Sequence, residues 1–270
     1  MDTLVCLALL PGILIIIYII RKDKVEKEPR GLVLKLVLFG ALSCLPAIFF
    51  ETFMEGGMPI NANSFQTAVY DAFLVAALCE EICKFGLMFL GSWWSKAFNY
   101  RFDGIVYGVC VAVGFAMLEN VEYVLAYGFE TAIVRAFLAV PLHAFCGVFM
   151  GVFYSYMKKA SIDGRPAGVI GFLILTLGIP MLIHGVYDTM AMWGIAEAQI
   201  GLLVFVVILY IVGISLIRRM SKEDFHAGLY NTGANFSKGA QGTAYAGAKA
   251  KMASHYDEEA AAKAPDAAPA

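Results

Sequence analysis

The sequence predicts an all-α fold, a polytopic bundle of about seven transmembrane helices. Of its 270 residues, 60% are hydrophobic and only 16% are charged, which is far from the composition of a soluble domain. A helix that crosses a bilayer needs roughly 20 mostly apolar residues. Seven stretches meet this requirement, at residues 3–20, 31–53, 67–91, 103–127, 132–157, 167–192 and 200–217.

Basic residues in the connections between these stretches predict the orientation of the chain. The first, third and fifth connections contain lysines and arginines, at residues 21–30, at Lys96 and Arg101, and at residues 158–165. The other connections contain none, and Arg135 lies just inside the next span. Basic loops usually stay in the cytoplasm. We therefore expect a multi-pass protein of the cell (plasma) membrane with its N-terminus outside and its C-terminus in the cytoplasm.

Composition divides the chain into two regions. Residues 1–219 form the predicted transmembrane domain. Residues 220–270 are rich in alanine and glycine, and they predict a disordered cytoplasmic tail because they have too little apolar surface to form a core. All six cysteines fall within predicted spans, where we expect them to pack as small apolar side chains. No basic patch exists outside the membrane flanks, so no nucleic-acid partner is expected.

Three charged residues lie in the middle of the third predicted span: Glu80, Glu81 and Lys84. One charged group at the bilayer centre costs about 2.5–3.5 kcal/mol on insertion scales. Glu80 and Lys84 are four residues apart and can pair, while Glu81 lies about 100° further around the helix and is expected to face elsewhere. We expect the group to line a wet cavity, and the alternative is an ion pair that only joins helices.

Other polar residues fall at similar depths in the later spans. With a rise of 1.5 Å per residue, Glu119, His143 and His184 lie about 12–17 Å below the outer surface, and Glu80 lies roughly 20 Å below it. Polar groups that serve separate structural purposes would not be expected to share a level. Four helices that offer polar groups at overlapping depths therefore predict an active site inside the membrane.

The chemistry of these groups leaves a choice between a metal and glutamate alone. His184 and Asp188 are one turn apart, so the carboxylate can orient the imidazole. Asn120 and a lone histidine can also serve only as hydrogen-bonding residues between helices. If the site binds a metal, zinc is expected, with His143, His184 and Glu119 as ligands. The H-E-x-x-H pattern of many zinc proteases is absent from the sequence.

Four motifs follow one another in the chain: Glu80-Glu81-x-x-Lys84, residues 103–120 from Asp-Gly-Ile-Val-Tyr-Gly to Glu-Asn, the lone His143, and His184-Gly-Val-Tyr-Asp188. Together with residues 25–29, they resemble the PrsW family of bacterial intramembrane proteases, which is distantly related to the CAAX prenyl endopeptidases. The resemblance covers roughly residues 20–190. It implies regulated intramembrane proteolysis of a membrane-anchored regulator, of which anti-sigma factors are the known type.

The leading hypothesis is therefore an intramembrane endopeptidase that acts on a single-span membrane protein. Glu80 or Glu81 would activate water, and His143 and His184 would hold the oxyanion or a zinc ion. A proton-coupled transporter is the second hypothesis, because intramembrane glutamates and histidines also form proton relays. Such transporters usually contain two similar halves, and no such internal repeat is apparent in this sequence. A non-enzymatic membrane scaffold is the third.

Overall fold

The computed structural model describes residues 2–57 and 63–224, and within these ranges the chain is almost entirely helical. The all-α prediction is confirmed. Residues 225–270, which hold most of the predicted tail, lie outside the described residues. The helices are α1 (Asp2–Lys22), α2 (Arg30–Glu55), α3 (Ser64–Tyr70), a π-helical turn at Asp71–Ala77 that we call the π segment, α4 (Leu78–Ser92), α5 (Asp103–Tyr127), α6 (Phe129–Phe137), α7 (Ala139–Ile162), α8 (Pro166–Met192) and α9 (Ala196–Lys222).

Six helical stretches in the described part are long and apolar enough to cross a membrane. They are α1, α2, α5, α6 with α7, α8 and α9. The prediction of a polytopic membrane bundle is confirmed. The remaining predicted span corresponds to α3, the π segment and α4, which continue one another from Ser64 to Ser92. It differs from the other six by its three buried charged residues and by the π segment inside it.

Helix α5 is the central helix of the bundle, and glycines let its neighbours approach to backbone distance. Gly104 and Gly108 of α5 face Gly147 and Gly151 of α7. A Cβ atom at Gly108 would lie 2.2 Å from the carbonyl oxygen of Gly147, and one at Gly151 would lie 2.2 Å from that of Gly104. Such small-residue faces permit close packing of membrane helices. Close contact with α7 brings His143, near the start of that helix, toward the polar residues of α4 and α5.

The π segment lies immediately before the charged residues of α4 and packs against α8. A Cβ atom at Gly185 of α8 would lie 2.5 Å from the ring of Phe73 in the π segment, so the two elements meet closely. A π turn contains an extra residue and therefore rotates the residues that follow it. The π segment directly precedes the helix that carries Glu80 and Glu81, and its close contact with α8 brings His184 beside them.

Candidate active site

Glu80, Glu81 and Lys84 form a buried ion cluster within α4. Lys84 Nζ lies 2.8 Å from Glu80 Oε2 and 2.9 Å from Glu81 Oε1. The side chains of Lys84 and Glu81 are fully buried, and that of Glu80 is 9% exposed. The expectation that Glu81 would face elsewhere is wrong. Residues three apart also share a helix face, so the long lysine side chain reaches both carboxylates.

His143 connects this cluster to α5. Its Nδ1 atom lies 3.1 Å from Lys84 Nζ, and its Nε2 atom lies 3.0 Å from Glu119 Oε2. An ammonium group only donates hydrogen bonds and a carboxylate only accepts them. The Nδ1 atom of His143 therefore accepts from Lys84, and Nε2 carries the hydrogen and donates it to Glu119. The contacts thus select one tautomer of the ring.

His184 of α8 lies between two carboxylates. Its Nδ1 atom is 2.9 Å from Glu81 Oε1, and its Nε2 atom is 3.1 Å from Asp188 Oδ2. The ring of His143 stands perpendicular to that of His184, with 5.0 Å between their centroids. Two imidazoles from different helices therefore meet beside the carboxylates of α4, and Asp188 contacts His184 at the one-turn spacing.

Arg135 of α6 is a further charged residue in contact with this group. Its Nη2 atom lies 2.7 Å from Glu119 Oε2, and its Nε atom donates to Asn120 Oδ1 at 2.9 Å. Asn120 in turn donates to the carbonyl oxygen of Ala8 in α1 at 2.7 Å. Asn120 therefore joins helices outside the cluster. Sequence reasoning noted Arg135 only as an exception among the loops, although an arginine inside an apolar stretch could have identified it.

Four buried side chains lie close enough together to bind one metal ion. Glu80, Glu81, His143 and His184 are all buried, and each offers a ligand atom within 4.8 Å of the others. Glu119, expected from the sequence as a ligand, lies outside this group and contacts His143 and Arg135 instead.

The chemistry of the group fits a divalent metal ion. Two carboxylates and two imidazoles are ligands that zinc and similar ions accept. Among the described residues, Glu81 Oε2 is buried and has no hydrogen-bond partner. A buried carboxylate oxygen without a donor is costly, and a bound cation would satisfy it.

Comparison with known proteins agrees with this arrangement. A sequence profile described as PrsW family intramembrane metalloprotease matches residues 28–214. The chain belongs to the PrsW family. It is 36% identical to Protease PrsW of Geobacillus kaustophilus (strain HTA426) over 200 residues, which cover 72% of this chain and 84% of that protein. It is 35% identical to Protease PrsW of Bacillus subtilis (strain 168) over 188 residues, covering 70% and 82%. No solved structure matches the chain.

The resemblance expected from the four motifs is thus confirmed. As a PrsW family member the protein is an intramembrane protease, a hydrolase that crosses the membrane several times. Membership in this metalloprotease family and the buried glutamate–histidine group both indicate that the site uses a metal.

Proposed function

We propose that the protein hydrolyses a peptide bond in a single-span membrane protein, such as an anti-sigma factor, at the cluster formed by α4, α7 and α8. The observation that supports this most directly is the convergence of Glu80, Glu81, His143 and His184 from three helices. Burying charged and polar groups inside a membrane bundle costs free energy. We therefore expect such groups to be present because they serve a reaction. Peptide hydrolysis in lipid needs such an enclosed polar site to hold water.

The residues divide into roles according to their exposure and contacts. Glu80 is the proposed general base, because its carboxylate is more exposed than that of Glu81. Its Oε2 atom lies 3.9 Å from His184 Nε2 and 4.0 Å from His143 Nδ1. Water that enters between the two rings therefore meets this carboxylate. Glu81 contacts His184 directly and stays fully buried, which suits a ligand better than a base.

Zinc is the proposed metal, held by Glu81, His143 and His184. Catalytic zinc sites usually have three protein ligands and a position for water. A bound zinc ion would polarise the scissile carbonyl and favour ionisation of water. Asp188 accepts a hydrogen bond from His184 Nε2 and fixes that ring, while Glu119 does the same for His143. Lys84 holds the two glutamates of α4 near each other.

We further propose that the site opens toward the outer half of the membrane. The alternation of basic connections supports this proposal, because it predicts that the start of α5 and the end of α7 lie in the cytoplasm. Glu119 and His143 would then lie in the outer half. A cut at this depth would release the external part of a membrane-anchored regulator.

Cleavage by purified protein tests the proposal. The full chain is incubated in detergent with a single-span substrate, before and after treatment with a chelator and after addition of zinc. We expect cleavage that the chelator abolishes and zinc restores, and loss of cleavage in Glu80→Gln. Glu122→Gln is the matched control, because Glu122 is an exposed carboxylate of α5. Cleavage that persists at wild-type rate in Glu80→Gln would contradict the assigned base, and cleavage insensitive to chelator would contradict the metal.

A further inference from the structure

We infer that Arg135 is a positioning residue for the proposed proteolysis: through Glu119, it holds His143 in the orientation that directs Nδ1 into the active site. This inference rests on the proposed function. Arg135 itself contacts none of Glu80, Glu81 and His184, so its effect on the reaction must pass through other side chains.

Helix α6, which carries Arg135, is short and mostly faces outward. It has nine residues and follows Gly128, whose φ of 86° lies in the region that favours glycine. Phe129, Val134 and Phe137 are 56%, 55% and 66% exposed, as expected for side chains that face lipid. The Arg135 side chain is only 12% exposed. The charged residue of α6 therefore points inward, against the rest of the bundle.

Arg135 contacts three side chains of α5, those of Glu119, Asn120 and Tyr123. Its Nη2 atom lies 2.7 Å from Glu119 Oε2, its Nε atom donates to Asn120, and its guanidinium carbon lies 4.0 Å from the centroid of the Tyr123 ring. A planar guanidinium can make an ion pair, a directed hydrogen bond and a stacking contact together. A lysine ammonium could keep the ion pair without the fixed orientation.

Glu119 links Arg135 to His143 of the active site. Glu119 Oε2, the same oxygen that pairs with Arg135, lies 3.0 Å from His143 Nε2. Because this oxygen is held in place, the Nε2–H group of the ring keeps its direction, and Nδ1 stays 3.1 Å from Lys84 Nζ and 4.0 Å from Glu80 Oε2. Without Arg135, the Glu119 side chain keeps a single partner and can rotate away, and His143 loses its fixed acceptor.

Enzyme kinetics and imidazole spectra of the full chain test this role. We expect Arg135→Gln to lower kcat by roughly 10- to 100-fold, the usual effect of losing a partner that orients a ligand, while KM for the single-span substrate stays within about twofold. Arg135→Lys should recover part of kcat. Glu130→Gln is the matched control, because Glu130 is an exposed charged residue on the same helix.

The spectra do not depend on activity. The chain has four histidines, so ¹⁵N signals of the His143 ring can be assigned by comparison with His143→Gln. We expect the wild-type ring to carry its hydrogen on Nε2, and we expect Arg135→Gln to shift and broaden the Nε2 signal, because the acceptor of that hydrogen is no longer held. If the wild type cleaved no substrate, the proposed function would fail, while the spectra would still decide the role of Arg135.

Three results would overturn the inference. One is a wild-type kcat together with unchanged His143 signals in Arg135→Gln. Another is a raised KM with unchanged kcat, which would show that α6 binds substrate instead. If Arg135→Gln does not fold, the decision falls to Arg135→Lys: a wild-type kcat and spectrum there would show that any positive charge is enough and that the fixed guanidinium contacts do not matter.

Discussion

Lys84 places an ammonium group among the atoms that would hold a metal. Its Nζ atom lies within 3.1 Å of a ligand atom on each of Glu80, Glu81 and His143. A divalent cation bound by the same atoms would lie close to this ammonium, and two cations at such distances repel each other strongly in a buried site. Lys84 and a metal should therefore compete for Glu81 and His143.

Replacing this lysine tests the competition. Lys84→Met keeps a long side chain and removes the charge, so we expect the affinity for zinc to increase by about tenfold or more. We also expect thermal stability to depend on added zinc, because the metal then becomes the main partner of Glu81. Zinc affinity is measured by competition with a chelator, with Lys35→Met of α2 as control. Weaker binding in Lys84→Met would show that the lysine arranges the ligands instead.

His184 and Asp188 should act as one unit, because the carboxylate contacts the ring at 3.1 Å. Asp188→Asn removes the charge but leaves a group that can still accept from Nε2, so it should lose less activity than His184→Ala. The double variant should be no worse than His184→Ala alone. Cleavage rates of the three variants measure this. Independent, additive losses would mean that the two residues have separate roles.

At the scale of single helices, the contact between α5 and α7 depends on the absence of side chains. A Cβ atom at Gly108 would meet the backbone of Gly147, which cannot move aside without separating the helices. We expect Gly108→Ala to destabilise the protein by about 1–3 kcal/mol, as overpacking does. Thermal unfolding in detergent measures the loss. Gly178→Ala of α8 is the control, because a Cβ there meets nothing within 4 Å, and an equal loss in both variants would contradict the packing argument.

The helices were largely predictable from sequence, and their interruptions were not. Lengths near 20 apolar residues identify spans directly, and the spans starting at residues 103 and 167 begin at or within one residue of α5 and α8. The π segment leaves no such pattern. The break at Leu138, which separates α6 from α7, lies inside a single hydropathic span that continues across it. Hydropathy reports which residues avoid water, and it does not report local changes of helical turn.

The site was predictable in its members more than in its contacts. Charged and polar residues in an apolar span are conspicuous, so Glu80, His143 and His184 could be selected from sequence. Their partners depend on how helices rotate against one another. The contact of Glu81 with His184, and that of Arg135 with Glu119, join residues far apart in the chain. Spacing along one helix cannot predict such contacts.

At the scale of the whole molecule, the orientation in the membrane remains a prediction. The basic connections predict that the ends of α1, α4, α7 and α9 lie in the cytoplasm. A reporter enzyme that functions only in the cytoplasm should therefore be active when it is fused after Asp224. A reporter that functions only outside the cell should be active when it is inserted after Gly128. The opposite pattern would contradict the orientation and move the site to the inner half of the membrane.

The position of Lys84 on the same helix as both glutamates bears on how the chain is inserted into the membrane during synthesis. At that stage α7 and α8 have not been made, so His143 and His184 cannot help to neutralise the carboxylates. Lys84 is already one turn away from both of them. Two carboxylates and one ammonium leave a single negative charge, and the cost of placing charges in lipid falls accordingly. The residue that competes with a metal in the finished enzyme would thus assist the newly made helix to enter the bilayer.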